Sequence, residues 1–283
     1  MFHKVAVLGV GLIGASFSLA LKEKKLCSEI AGFGRSGKNL QKAKERGIID
    51  TFDLDPAVVC READLIMLST PPGSFVEMIK RSSEAFSKGA IVTDAGSVKG
   101  DLVHEIERMM PERASYIGSH PIAGSENSGI DSASPDLFDG AKCIITPTKD
   151  SDLGSLKKVK DLWEELGAMT IEMDPQKHDH IYASVSHLPH MIAYTMVNTV
   201  AAIDRSYFEF SGQGFLDMTR IAGSSPELWR DICLMNRKNL IDMIEVFQRN
   251  LESLSRHLKA SDADALETEF RNASRLRESI GQD

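Results

Sequence analysis

The sequence predicts an α/β protein: a parallel sheet flanked by helices over residues 1–173, followed by an all-helical part over residues 174–283. Three observations predict it. Short β-type and helical runs alternate through the first half, as βαβ units require. A glycine motif joins the first strand to the first helix. After Asp174-Pro175 the apolar periodicity is almost wholly helical. In order, residues 4–9 form a buried strand and residues 12–25 a helix. A second strand over 29–33 leads to a helix over 38–46. The run Ala-Asp-Leu-Ile-Met-Leu-Ser at 63–69 is a strand ending at Pro71-Pro72, and a helix over 75–87 follows. Residues 90–94 are a strand, residues 100–110 a helix stopped by Pro111, and residues 116–118 a short strand. Strand-like runs at 142–146 and 169–173 enclose a further helix. Asp174 and Pro175 then make an N-cap and first-turn pair. Leu240, Met243, Ile244, Phe247, Leu251, Leu254 and Leu258 recur at steps of three and four and form one apolar stripe. Ser261 is placed to cap a last helix carrying Leu266, Phe270, Ala273, Leu276 and Ile280. Such a stripe needs partner helices, and a second copy of the chain is the expected source, giving a homodimer.

Composition excludes several classes. The 283 residues are 42% hydrophobic and 26% charged, which is ordinary for a globular protein and argues against disorder or a disulfide scaffold. A net charge of −8 with no long basic cluster argues against nucleic acid as a partner. Cys27, Cys60, Cys143 and Cys233 lie far apart and form no CxxC pair, so free thiols in a reducing compartment are expected. The apolar run 5–21 resembles a signal peptide superficially. It carries spaced glycines and passes straight into Lys22-Glu23-Lys24-Lys25 without a small-residue cleavage site. No other stretch reaches the roughly 18 apolar residues of a membrane span, and a cytoplasmic protein is expected.

The chemistry begins at Gly9-Val10-Gly11-Leu12-Ile13-Gly14. The first glycine permits a tight turn, the second admits a pyrophosphate against backbone, and the third lets helix pack on strand; the helix N-terminus offers free N–H groups to the phosphates. A dinucleotide site follows, with Ser69, Thr70 and Pro71 at the end of another strand assigned to the same ligand. The second strand ends Phe33-Gly34-Arg35-Ser36, without the acid that would bond the ribose of NAD. Arg35 and Ser36 therefore tilt the cofactor toward NADP, while an Arg35 stacked on adenine would accept NAD as well. Ser97, in Gly96-Ser97-Val98-Lys99 after a strand, is placed to reach the nicotinamide side, with Lys99 read as a solvated helix-start residue. His120, between a strand and a Pro/Gly-rich loop, is the candidate proton acceptor at neutral pH. His178, His180, His187 and His190 crowd together, with His187 and His190 on one helix face and Pro189 expected to kink that helix. No HExxH pattern and no ligand spacing supports a metal, so none is expected. Arg220, before a helix that carries Trp229, is suited to grip a carboxylate with two parallel hydrogen bonds, or to pair with Asp217 or Glu126 as a gate.

Taken together, GxGLIGxS at Gly9, GSVK at Gly96, HPIAGSExSG at His120, SHLPH at Ser186 and TRIA at Thr219 closely resemble the prephenate dehydrogenase family, from Val5 to about Ile280. The resemblance implies an N-terminal Rossmann-type domain, a C-terminal helical dimerisation domain and an active site between them. It implies oxidative decarboxylation of prephenate to 4-hydroxyphenylpyruvate in tyrosine biosynthesis, with arogenate and dual-specificity cyclohexadienyl dehydrogenases as alternatives. His120 would accept the proton of the substrate hydroxyl, and Ser97 would bond that hydroxyl or the nicotinamide ribose. Arg220 would hold the side-chain carboxylate, with His187 or His190, Ser125 and Trp229 shaping the pocket. Glu126 would serve the amino group of arogenate or the gate. Activity is expected to fall at acid pH as His120 protonates. The β-hydroxyacid and imine reductases share the architecture but rely on a lysine in the helical part, and Lys177, Lys238 and Lys259 read as solvated. A non-catalytic dinucleotide sensor would keep the glycines without needing His120, Ser97 and Arg220 together.

Overall fold

The structure, a computed structural model, describes residues 2–124 and 129–280. Ser125 and Glu126 lie outside the described residues. Eight strands form one sheet: β1 (Phe2–Leu8), β2 (Cys27–Phe33), β3 (Thr51–Asp53), β4 (Leu65–Leu68), β5 (Ala90–Asp94), β6 (Ala114–Pro121), β7 (Lys142–Thr146) and β8 (Met169–Glu172). Their order is β3-β2-β1-β4-β5-β6-β7-β8, so the strand sequence reverses between β1 and β4. The reason is visible in β1. Val5 and Val7 join the core on one face of the sheet, Ala6 and Leu8 the core on the other, and all four are fully buried. Leu65 and Met67 against Ile66 and Leu68 repeat the division in β4. Continuous apolar runs of this kind fit a parallel sheet covered on both faces, each buried Leu or Ile contributing about 1.5–3 kcal/mol.

Helices supply the cover. Helix α1 (Leu12–Glu23) sends Ala15, Phe17 and Leu21 into the first core, while α2 (Gly37–Glu45) adds Leu40 and Ala43. The short α3 (Pro56–Cys60), with α4 (Phe75–Ser82) and α5 (Gly100–Met109), covers the opposite face through Val59, Phe75, Ile79, Leu102 and Ile106. Helix α6 (Leu153–Glu165) returns to the first face with Val159 and Trp163. Neither β3 nor α3 is expected from the sequence, because three and five residues are too short to display a period. The sheet is also not wholly parallel: β7 runs antiparallel to β6. The described part of the segment between them holds two short 3₁₀ turns and no crossover helix, which a parallel return would need. In addition, β6 extends to Pro121, so His120 lies within a strand, opposite Ile144, rather than in a loop.

Asp174 caps α7 (Pro175–Tyr182) as expected, accepting from the N–H groups of Gln176 at 2.9 Å and Lys177 at 3.0 Å. A π-helical turn over Ala183–His187 then leads into α8 (Leu188–Ile203). The deformation expected at Pro189 thus takes the form of a widened turn immediately before it, since proline lacks the N–H that an α-turn would use. Helices α9 (Gln213–Thr219) and α10 (Pro226–Met235) follow, and α10 closes a small core in which Trp229 and Ile232 meet Val98. Residues 1–237 form one compact unit and residues 238–283 a second. The second consists of α11 (Arg237–Ala260) from its second residue onward and α12 (Ala263–Ser279). Asp262, not Ser261, caps α12 by accepting from Ala265 N–H at 3.0 Å, and Ser261 takes a left-handed φ of 54° in the turn. Leu251, Leu258, Phe270 and Leu276 remain exposed. Among the described residues no helix is long and apolar enough to cross a membrane, and all four cysteines are free thiols.

Candidate active site

Most of the described candidate residues gather at the C-terminal edge of the parallel strands, where such sheets bind ligands. Leu8, Leu68 and Asp94 stand in one register row of β1, β4 and β5. The residues that follow them are therefore neighbours. Gly9 has φ +114°, and a Cβ there would strike the backbone of Ser69 and Thr70 at 2.6 Å. A Cβ on Gly14 would run into the carbonyl oxygen of Gly9 and lie 2.5 Å from Ser69 Oγ, whereas one on Gly11 would meet nothing within 4 Å. Gly11 is also the N-cap of α1 and provides no side-chain cap, leaving the first N–H groups of Leu12, Ile13 and Gly14 without one. A closed turn, an open approach and uncapped donors suit a pyrophosphate.

The supporting residues differ in what they do. Ser69 donates to the carbonyl of Gly9 at 2.9 Å and so holds the glycine turn. Thr70 accepts from Ser74 Oγ at 2.7 Å, and Pro71 is exposed. Arg35 and Ser36 are exposed at the end of β2, and Ser36 Oγ accepts from Asn39 N–H at 3.3 Å as the cap of α2. Gly14→Ala is expected to destabilise the fold by about 1–3 kcal/mol through overpacking. Gly11→Ala should leave stability within about 0.5 kcal/mol and weaken dinucleotide binding alone. Thermal melts with a cofactor titration check both, and equal melting losses would refute the distinction.

The catalytic side is organised by one carboxylate. Asp94 is fully buried. Its Oδ1 accepts from Tyr116 OH at 2.8 Å and from Ser119 N–H at 3.0 Å, and its Oδ2 accepts from Gly96 N–H at 2.8 Å and from Lys99 Nζ. Lys99 is therefore not solvated; its side chain is fully buried and ion-paired. Ser119 Oγ donates to the Asp94 carbonyl. The residue before Ser97 and the residue before His120 are thus tied to the same group.

His120 meets a second layer of residues from α7. Its Nδ1 lies 2.8 Å from His178 Nε2, and His178 Nδ1 lies 2.8 Å from Asp179 Oδ1, which also accepts from Lys99 N–H at 2.8 Å. Tyr182 stacks on His178 with centroids 4.4 Å apart. Burial, then the neighbouring His178 and Lys99, holds the His120 pKa well below its ordinary value. The acid loss expected from protonation of His120 near its ordinary pKa is therefore moved to much lower pH. Burial pushes the Asp179 carboxyl up to about 6.

His187, the last residue of the π-turn, is fully buried. Asn236 Nδ2 donates to the backbone carbonyl of Asp179 at 2.7 Å and reaches His187 Nδ1 at 3.1 Å. The amide thus makes His187 Nδ1 an acceptor and leaves the hydrogen on Nε2. That Nε2 is buried and makes no hydrogen bond of normal geometry among the described residues, and the backbone of Ser97 lies close to the ring. His190 stacks on buried Trp229 at 3.5 Å between centroids, and Trp229 also meets the edge of His187 at 6.0 Å. Burial lowers the His190 pKa, and the Arg220 guanidinium adds to the effect. Asp217 accepts from Gln213 at 2.7 Å. Among the described residues no cluster of His, Cys, Asp and Glu forms a metal site.

The structure thus brings Ser97, His120, His187, His190 and Trp229 to one edge with the glycine loop. The sequence names Lys99 and His178 without a role in the site and singles out none of Asp94, Asp179, Tyr182 and Asn236. His178 and Asp179 were visible beside the N-cap, but their facing of His120 depends on where α7 docks.

A glycine loop at the point where strand order reverses, beside a half-buried imidazole whose pKa is held low, defines a dinucleotide-dependent oxidoreductase. The family model for the prephenate dehydrogenase nucleotide-binding domain matches residues 17–172, and that for the prephenate dehydrogenase dimerization domain matches residues 174–272. The prephenate dehydrogenase of Bacillus subtilis is 30% identical over 99% of this chain and 76% of its own length. The cyclohexadienyl dehydrogenase of Zymomonas mobilis is also 30% identical, over 100% of this chain and 98% of its own. The crystal structure of prephenate dehydrogenase from A. aeolicus, in complex with hydroxyphenyl propionate and NAD+, superposes with a TM-score of 0.94 at 37% identity, covering 99% of each chain. The chain belongs to the prephenate dehydrogenase family.

Proposed function

We propose that this chain oxidises prephenate to 4-hydroxyphenylpyruvate and CO2 as a step toward tyrosine. The observation that supports this reading is the neutral His120 at the edge shared by Ser97, the buried donor of His187 and the glycine loop. A bound nicotinamide dinucleotide supplies the hydride acceptor. Gly9, Gly11, Leu12, Ile13 and Gly14 would hold its pyrophosphate, and Arg35 and Ser36 would face its adenosine ribose. His120 takes the proton of the ring hydroxyl as hydride leaves the same carbon. Loss of CO2 from the opposite carbon makes the ring aromatic, and the proton returns to the phenolate oxygen, so His120 ends neutral. Ser97 orients the hydroxyl, and Arg220 with His187 or His190 grips carboxylate and keto oxygens. The reaction is strongly downhill, so alignment and one proton acceptor are the main demands on the protein.

The division at 173/174 separates the dinucleotide part from the helical part on this reading. The exposed Leu251, Leu258, Phe270 and Leu276 would be covered by a second copy of the chain in a cytoplasmic homodimer. The test is an assay of purified protein with prephenate or arogenate, each with NAD or NADP. Turnover of prephenate supports the proposal, and the cofactor ratio judges the tilt toward NADP drawn from Arg35. Turnover of arogenate alone would replace the substrate, and silence in all four with cofactor bound would favour the sensor. Arg220→Gln should raise KM for prephenate by roughly 10- to 100-fold with a smaller change in kcat, since a charged hydrogen bond is lost in ground and transition states alike. A large loss of kcat at constant KM would contradict that role.

A further inference from the structure

We propose that His178 and Asp179 are positioning residues that fix His120 as its Nδ1–H tautomer, so that its Nε2 carries the lone pair that receives the substrate proton. The functional consequence rests on the reading of His120 given above, whereas the tautomer is a property of the free protein. Asp179 Oδ1 already accepts from Lys99 N–H at 2.8 Å, so as a carboxylate it receives a hydrogen from His178 Nδ1, also at 2.8 Å. A neutral imidazole carries one N–H, so His178 Nε2 holds a lone pair. Burial and the Lys99 charge keep His178 neutral, well below its ordinary pKa. His178 Nε2 must then accept from His120 Nδ1–H across their 2.8 Å contact, which leaves Nε2 of His120 as the base.

The surroundings fix the rings as well as the hydrogens. Tyr182 stacks on His178 at an interplanar angle of 29° and meets His120 at 4.9 Å between centroids. Asn236 Nδ2 anchors the backbone of Asp179 at 2.7 Å. A Cβ on Gly100 would lie 2.5 Å from Asp179 Oδ2, so the glycine admits the carboxylate close to the start of α5. The groups facing the pair are Lys99 from the β5–α5 connection, Gly100 at the start of α5, His187 at the end of the π-turn, and Cys143 of β7, which lies near both His120 and Tyr182.

The same wiring has a direction that acid reverses. As pH falls through about 6, Asp179 gains a proton. A neutral carboxyl can donate to His178 Nδ1, which then carries its hydrogen on Nε2 and donates to His120 Nδ1. His120 is driven to the Nε2–H tautomer, which cannot accept. Acid therefore lowers kcat through Asp179 while His120 stays uncharged.

Nitrogen-15 NMR of histidine-labelled protein reads the tautomer directly, with His120→Asn assigning the signal. At pH 7.5 the expected pattern is a protonated Nδ1 and an unprotonated Nε2 for His120. An Nε2–H pattern overturns the proposal. In kinetics with prephenate, His178→Phe should lower kcat by about 100-fold with KM within about twofold, the scale of a misassigned base. His178→Gln should recover most of the loss, because its amide can donate to Asp179 and accept from His120. Asp179→Asn should remove the acid limb near pH 6. Equal kcat in His178→Phe and wild type, or no recovery by His178→Gln in folded protein, also overturns the proposal. If wild type gives the stated tautomer but turns over no prephenate, the functional reading fails and the tautomer assignment stands.

Discussion

His120→Asn is expected to lower kcat for prephenate by roughly 100- to 10,000-fold, the usual share of a positioned general base, with KM and dinucleotide affinity close to wild type. The expectation follows from where the ring sits. Strand β6 carries His120 opposite Ile144 of β7, and Ser119 beside it is held through both its N–H and its hydroxyl to Asp94. Burial and the Lys99 charge keep the imidazole unprotonated at neutral pH, so the fraction competent to accept a proton is close to one. Asparagine keeps a polar side chain near His178 but has no lone pair of comparable basicity. The glycine loop follows β1, so cofactor binding is expected to survive. Steady-state kinetics with a separate binding titration would decide. Near-normal kcat would remove His120 from the chemistry, and loss of cofactor binding would mean that the substitution disturbs the sheet edge instead.

The parts of this molecule that were legible in the sequence are those governed by local period and local turn chemistry. The apolar runs of β1, β4 and β5 and the glycines after β1 declare themselves without tertiary knowledge, because a strand covered on both faces is apolar along most of its length. Asp174 before Pro175 announces α7 through capping chemistry that is equally local. The antiparallel return of β7 had no such signal, since Lys142–Thr146 reads alike in either direction. Lys99 was misread because a lysine at a helix start is usually solvated. Its partner inside is Asp94, five residues earlier, which also accepts from Tyr116 and Ser119 of the next strand. His178 and Asp179 lay in the sequence as members of a histidine-rich helix. Their meaning depends on a contact with a residue 58 positions away, which no spacing rule encodes. Motifs thus located the strand ends that carry the site, while the residues that set its protonation came from packing.

Lys99→Met is expected to destabilise the protein by about 3–5 kcal/mol, because it leaves a buried carboxylate without its counter-charge. Lys99 and Asp94 are both fully buried and directly paired, so neither charge is relieved by water in the folded state. The loss should reach beyond stability. Asp94 gathers the N–H of Gly96 and the N–H of Ser119, the residues that precede Ser97 and His120, so one carboxylate sets the distance between two proposed catalytic side chains. A carboxylate that must protonate or draw in water would release one of these ties, and kcat should fall even at temperatures where the variant stays folded. Asp94→Asn alone keeps an acceptor for Tyr116 and Ser119 but turns an N–H toward Gly96 and leaves Lys99 unpaired. The double substitution should therefore cost less than the sum of the single ones, with a coupling of about 1–3 kcal/mol. Urea unfolding at a fixed protein concentration measures all four corners of this cycle. Additive losses, or a Lys99→Met variant as stable as wild type, would show that the charge pair does not hold the two segments together.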